Sequence, residues 1–233
     1  MPQALKSLIG EVRLPAEGSP AETAPAQEVD EIMLWAPNRQ SLKVQIVLGD
    51  ITEESSQAIV NPTDQFLEFT EGVGAQLVQK GSKRIQEDAD EIIKSQFQVP
   101  AGYNVVTKAY DLPSDFIIHA VGPSVVDNSH NGIDHDALMY YTAKNILLTA
   151  HGLGCKSISI PALSCGEKGF PRKTCAEILL KCSLEYSRGL YDADLSVLES
   201  GQNSGIELVR LIQRRQEAVD EFLEVFNEFI EAL

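Results

Sequence analysis

The chain has 233 residues, room for one large domain or a domain with tails, and its 43% hydrophobic and 23% charged residues mark a globular chain rather than a disordered one. A formal net charge of -15 excludes a surface that gathers nucleic acid or anionic lipid without specificity, because such binding rests on clustered Lys and Arg. A polyanion held here must be held by backbone amides in a local pocket.

In chain order, residues 1–30 carry EGSPAETAPAQEVDE, rich in Pro, Ala and Glu, and read as a flexible tail or linker before a domain at 31–233. Residues 31–36 form an edge strand, and 42–48 (LKVQIVL) alternate as a half-buried strand closed by Gly49-Asp50-Ile51. A short helical turn follows at 52–56. Ala58-Ile59-Val60 is a brief apolar run, fitting a buried central strand that Asn61-Pro62 terminates.

The glycine loop 70–74 feeds a segment with Leu77, Val78, Ile85, Ala89, Ile92 and Ile93 at helical spacing, which Gly81 divides into two helices. Strands are expected at 104–109 and 116–121, a polar loop at 125–136, and a helix at 138–152 with Leu138, Tyr141, Ile146 or Asn145, and Leu148 on its apolar period. The stretch 157–174, SISIPALSCGEKGFPRKT, joins a strand, a loop and the start of a helix. Gly166 and Gly169 supply positive-φ freedom there, and Pro171 and Thr174 open a helix read as 174–188. After a connection at 191–205, residues 206–212 make a last strand before a helix at 216–233, or both belong to one helix. Val219, Phe222, Leu223, Phe226, Phe229 and Ile230 form one wide apolar stripe in that helix.

Strands alternating with helices imply an α/β fold, a three-layer α/β/α sandwich around a mixed, largely parallel sheet, with ligands at the carboxyl ends of the strands. Glycine loops between strand and helix N-terminus hold phosphate without lysine. Two such loops facing one cleft suit two linked phosphates. Asp50 suits an exocyclic amine such as that of adenine, and Asn61 suits ribose hydroxyls. The chemistry points to a nucleoside diphosphate carrying a second sugar.

The ordered strings GDI (49–51), AIVNPTD (58–64), EGVGAQL (71–77), FIIHAVGP (116–123) and SIPALSCGEKGFP (159–171) resemble the macro domain, the ADP-ribose-binding module, over roughly 32–233. The likeness is greatest to the non-hydrolytic type found in a large core-histone variant and in some ADP-ribosyltransferases. It implies that Asp50 contacts adenine with Ile51 beside it, and that Asn61 lies near the distal ribose. It further implies that amides of Gly72, Val73 and Gly74 hold one phosphate. Those of Ser164, Cys165, Gly166, Glu167, Lys168 and Gly169 wrap the other, with Phe170 against the distal ribose. A second reading of Asp50 is a helix N-cap.

Hydrolytic members carry a second asparagine and an aspartate where this sequence has Asp64 and Gly74. The implied function is therefore reading ADP-ribose or ADP-ribosylated proteins, with no catalytic residue. A mono-ADP-ribosyl hydrolase using Glu71, or a fold that has lost its ligand, stand as alternatives. The family often stacks an aromatic on adenine beyond the last strand, where Gln213 and Arg214 stand here.

Cys155, Cys165, Cys175 and Cys182 lack the close pairs of zinc or redox motifs, and Cys165 reads as a small loop residue. His119 reads as a buried structural histidine. His130 and His135, with Asp127, Asp134 and Asp136, read as a solvated loop rather than a metal cluster. No cofactor, metal or membrane partner is expected, and with no signal-peptide core the setting is intracellular, nucleus or cytoplasm.

Overall fold

The computed structural model describes residues 26–34, 41–126, 132, 134–198 and 205–233. Seven strands alternate with helices: β1 (Gln27–Leu34), β2 (Leu42–Leu48), β3 (Ala58–Thr63), β4 (Asn104–Lys108), β5 (Phe116–Val121), β6 (Ser157–Ile160) and β7 (Leu208–Gln213). They form one sheet in the order β1-β2-β7-β6-β3-β5-β4. The inner strands run parallel, while β1 and β4 close the edges antiparallel. The expected mixed, largely parallel sheet is what forms.

Helices α1 (Gly72–Gly81), α2 (Arg84–Gln96), α3 (His135–Gly152), α4 (Arg172–Ser187), α5 (Asp192–Leu198) and α6 (Gln216–Ala232) complete the chain. Alternate residues of each strand feed opposite faces, as the two-residue period of a strand dictates. Ile46, Val60, Ile118, Ile158 and Leu211 join the larger core under α3, α4 and α6. Val47, Ile59, Ile117 and Ile212 join the smaller one under α1 and α2. The last two elements settle as strand then helix, with Val219, Phe222 and Phe226 buried and Leu223, Phe229 and Ile230 half-buried at the edge of the same face.

Several boundaries differ from the sequence reading for physical reasons. β1 begins at Gln27, inside the stretch expected to be tail, because its backbone pairs with β2. β3 runs through Pro62 to Thr63, since β6 pairs with it only at Ala58 and Ile59. One flank of β3 is therefore open where the proline falls, the circumstance in which a strand tolerates it. In α3 the buried face includes Ile146 and Leu148 as expected and adds Met139, Ala143, Leu147 and Ala150, while Tyr141 is exposed. Small residues there admit close approach to the sheet, which a count of large apolar residues overlooks. Asp134 caps α3 by accepting the Asp136 and Ala137 amides. His135 and Asp136 are thus helical, whereas Asp127 and His130 lie outside the described residues. Within the 191–205 connection the described part contains α5. No described helix is long and apolar enough to cross a membrane.

Candidate functional site

β3 and β6 part company beyond Ile59, and the gap at their carboxyl ends opens into a cavity of about 420 Å³. Pro62, Thr63 and Asp64 form one side of it, turn 68–74 a second, and Ala162 with turn 164–168 a third. The two glycine-bearing turns therefore meet at one cleft. Gly72, Val73, Gly74, Ser164, Cys165, Gly166, Glu167 and Lys168 all line it.

The first turn ends as the opening of α1. Glu71 is the N-cap residue but its side chain caps nothing. Ala75 is the first amide of this helix with an intrahelical partner, at Glu71 O, so Gly72, Val73 and Gly74 keep amides with no internal acceptor. A helix N-terminus in that condition favours an anion. Gly74 is also a matter of space: a Cβ added to it would stand 3.0 Å from Phe69 Cβ and 3.3 Å from Asn61 Nδ2. No aspartate fits this backbone without moving Phe69 or Asn61.

The second turn is held at its base, where Phe170 N donates to Ser164 O at 2.9 Å and Gly169 N to Gly166 O at 3.0 Å. Its crest amides, on Cys165, Gly166 and Glu167, donate to no group of the described chain. The expected source of backbone freedom is partly elsewhere. Gly169 has φ +70, but Gly166 does not need a positive φ, and Ser164 takes the left-handed conformation at φ +57. A Cβ on Gly166 would meet nothing within 4 Å. Lys168 is a pin rather than a ligand cation: its Nζ donates to Thr63 O at 2.6 Å and Gly122 O at 3.2 Å, tying the turn to the ends of β3 and β5.

Five of the expected residues stand off the cleft wall. Asp50 accepts from Thr52 N at 3.0 Å and Thr52 Oγ1 at 2.7 Å, and takes Lys80 Nζ at 3.3 Å, so it caps the 3-10 turn Ile51–Glu53 as its second reading foresaw. Burial alone would raise its carboxyl, but the Thr52 bonds and Lys80 outweigh that and hold it below the usual carboxylate range. Ile51 packs in the smaller core and Phe170 in the larger. Gly169 lies at the foot of its turn. Asn61 is fully buried behind the cleft, its Nδ2 donating to His119 Nδ1 at 3.1 Å.

His119 is buried between that amide and Thr107 Oγ1, 2.8 Å from its Nε2, and stacks on Phe69 at 4.6 Å between ring centroids. Burial pulls its pKa down to about 3, so the ring is neutral, accepts at Nδ1 and donates from Nε2 to Thr107. His119 thus positions Asn61, whose Oδ1 is left buried with no partner among the described residues. The expectation of a structural histidine holds.

Sequence reasoning missed Phe69, which walls the cleft and fills the space beside Gly74. It also missed the carboxyl pair at the cleft mouth. A hydrogen bond that the protonated Glu71 carboxyl donates to Glu167, together with the Glu167 charge, raises the Glu71 carboxyl above the usual range. Asp64 and Glu68 add further acid to the lining, so phosphate held there depends on the amides. Gln213, expected beyond the last strand, is instead the buried last residue of β7, and Arg214 after it is exposed.

A family model of the macro domain matches residues 60–179, just over half of the chain. An uncharacterised protein of Thermotoga maritima is 35% identical over 185 residues, covering 79% of this chain, which spans 28% of that relative. An O-acetyl-ADP-ribose deacetylase of Escherichia fergusonii is 34% identical over 139 residues, 60% of this chain and 77% of that one. In fold, a mutant macrodomain of Oceanobacillus iheyensis solved with ADPR superposes with a TM-score of 0.67 at 23% identity, covering 86% of this chain and 99% of that one. With its sheet order, its two amide-lined turns and the match to the family model, this chain belongs to the macro domain family.

Proposed function

We propose that this domain binds ADP-ribose, free or attached to protein, and acts as a reader of that mark. The observation that carries the reading is the pairing of uncommitted amides, those of Gly72, Val73 and Gly74 with those of Cys165, Gly166 and Glu167, on two walls of one cavity. Such an array suits a pyrophosphate, and its helix terminus supplies the favourable partial charge despite the acidic surroundings. The distal ribose goes toward Pro62 and Thr63, in front of Asn61. Adenine goes toward Asp50, whose Oδ2 is engaged, among the described residues, only by the exposed Lys80. Arg214 is available to lie on the base through its guanidinium plane.

Binding without turnover is favoured because the position where hydrolytic relatives place an aspartate is Gly74, closely hemmed by Phe69 and Asn61. Proton transfer needs a titratable group within hydrogen-bond reach of the reacting oxygen, and glycine has none. The deacetylase name of the Escherichia fergusonii relative supports a second reading, hydrolysis with Glu71 as the proton-transfer group. Two measurements decide. Calorimetric titration with ADP-ribose is expected to give saturable heat, and its absence leaves the fold without its ligand. Incubation with a mono-ADP-ribosylated protein is expected to leave the label in place; release that Glu71→Gln abolishes would make the domain an enzyme.

A further inference from the structure

Two of the cysteines meet beneath the second turn. Cys165 is half-buried on the cleft wall, and Cys175, in the first turn of α4, is buried. Both sulfurs are held on the backbone of one residue. The Cys165 thiol donates to the Leu163 carbonyl at 3.1 Å, while Cys175 Sγ accepts the Leu163 amide at 3.3 Å. The two sulfurs thus flank the carbonyl and the amide of Leu163, and each thiol acts on the other's pKa, Cys165 downward and Cys175 upward. Cys182 lies elsewhere, on the Tyr140 carbonyl at 3.8 Å.

We infer that Cys165 and Cys175 are a reversible thiol pair, which a two-electron oxidant of the hydroperoxide class converts to a disulfide that reshapes turn 164–170 and releases its anion. The loss of the anion rests on the ADP-ribose reading; the bond itself does not. Cys165 is the attacking sulfur because it opens onto the cleft. The thiol of Cys175 stabilises its thiolate and, aided by Arg172 against the effect of burial, lowers its pKa. The same contact and full burial raise Cys175 well above the ordinary thiol range, which suits a resolving group that reacts second.

The chemistry balances. The Cys165 thiolate attacks one peroxide oxygen, the O–O bond breaks, and hydroxide leaves to become water on taking a proton, giving a sulfenic acid. Cys175 then attacks that sulfur, its own proton passing to the departing oxygen, so that the S–O bond breaks, a second water leaves and the S–S bond forms. The thiol pair loses two electrons and the peroxide gains them.

Turn 164–170 is a place where a new covalent bond has a local consequence. Ser164 already holds a left-handed φ of +57, a conformation that a residue with a side chain keeps only when its surroundings enforce it. Drawing Cys165 onto Cys175 pulls on the residue that follows it and re-aims the amides of Cys165 and Gly166. In a reducing compartment such bonds are transient, which is how a sensor works and a structural brace does not.

The test treats reduced protein with hydrogen peroxide, blocks remaining thiols, and reads intact mass, tryptic peptides, amide exchange and ADP-ribose affinity. Trypsin cuts after Lys168, Arg172 and Lys173, so the bond joins two peptides that reduction separates. The expected result is a loss of two hydrogens, a Cys165–Cys175 link, altered exchange across 164–170 and affinity weaker by about tenfold or more, all reversed by dithiothreitol. Cys175→Ser is expected to keep the reduced affinity and to gain oxygen on Cys165 instead. Should that variant not fold, the wild-type peptide map decides alone. Oxygen addition without a link, a link to Cys155 or Cys182, or a link that leaves exchange at 164–170 unchanged would overturn the inference. If the reduced protein takes no ADP-ribose, the ligand reading fails by that titration while mass and exchange still judge the thiol pair.

Discussion

Glu54, just before β3, and Asn61, within it, are both buried, and the polar networks around them end differently. The Glu54 carboxylate receives Arg210 Nε at 2.7 Å and Nη2 at 3.2 Å together with the Ser159 hydroxyl, and Arg210 passes on to Gln45 at 2.8 Å. Ser56 and Ser114 complete the set, Ser114 donating to Glu54 O at 2.9 Å. That network runs across β2, β7, β6 and the approach to β3, and Arg210 Nη1 also takes Glu28 of β1 at 3.3 Å, so each of its charges is paired. The Asn61 network runs through His119 to Thr107 and leaves Asn61 Oδ1 over, beside a cleft whose walls carry uncommitted amides. A saturated cluster holds the fold and offers nothing to a solute. An unsaturated one gives up some stability and keeps hydrogen-bonding capacity for a ligand.

The contrast is broken most sharply at Arg210. Arg210→Ala leaves the Glu54 charge buried and unpaired, so unfolding in urea is expected to show a loss of about 3–5 kcal/mol. ADP-ribose affinity of the folded fraction is expected to stay unchanged; a parallel fall in affinity would erase the distinction between the networks. Gly166→Val is the converse. The open space at its Cβ predicts an unfolding midpoint close to that of the parent, while the side chain obstructs the crest amides. Affinity is expected to drop at least about 100-fold, or ~2.7 kcal/mol, and calorimetry showing unchanged affinity would reject the turn as an anion site.

Asp50 sharpens the comparison because it serves both ends. Asp50→Ala removes the cap of the 3-10 turn, at about 1 kcal/mol. It is also expected to weaken ADP-ribose by roughly tenfold, ~1.4 kcal/mol, while sparing ribose 5-phosphate, which lacks adenine. Equal losses for both ligands would leave Asp50 a cap alone.

A further effect is confined to acid. His119 has a folded pKa of about 3 against 6.5 ordinarily, so it stays neutral in the fold while the unfolded chain takes a proton below pH 6.5. Its contribution to stability is complete above about 6.5 and is lost as pH falls toward 3. Urea midpoints followed over that window are expected to fall less steeply for His119→Gln, and identical slopes would show that the ring titrates freely in the folded protein.

Much of this was legible in the sequence because local chemistry and tertiary context agree. The alternation in LKVQIVL, the glycine turns after β3 and β6, and the division of a helical stretch at Gly81 each report a backbone requirement that the fold then meets. What escaped depends on contacts distant in sequence. Lys168 is expected to offer only its amide, and nothing local shows that its ammonium ties the turn to carbonyls of β3 and the end of β5. Phe69 carries no motif, and its role appears only once β3 and α1 bring it against Gly74 and His119. The positive φ expected of Gly166 sits on Ser164 instead, in a turn fixed by the bond from Phe170 back to Ser164 O and by the grip of Lys168.

The central claim, that two amide-lined turns grip one pyrophosphate, is tested most directly by following backbone amide resonances during titration with ADP-ribose. The account predicts that Gly72, Val73, Gly74, Cys165, Gly166 and Glu167 shift together and saturate at one stoichiometry, with the amides around Arg210 unmoved. Saturable binding that leaves either turn's amides in place would contradict it.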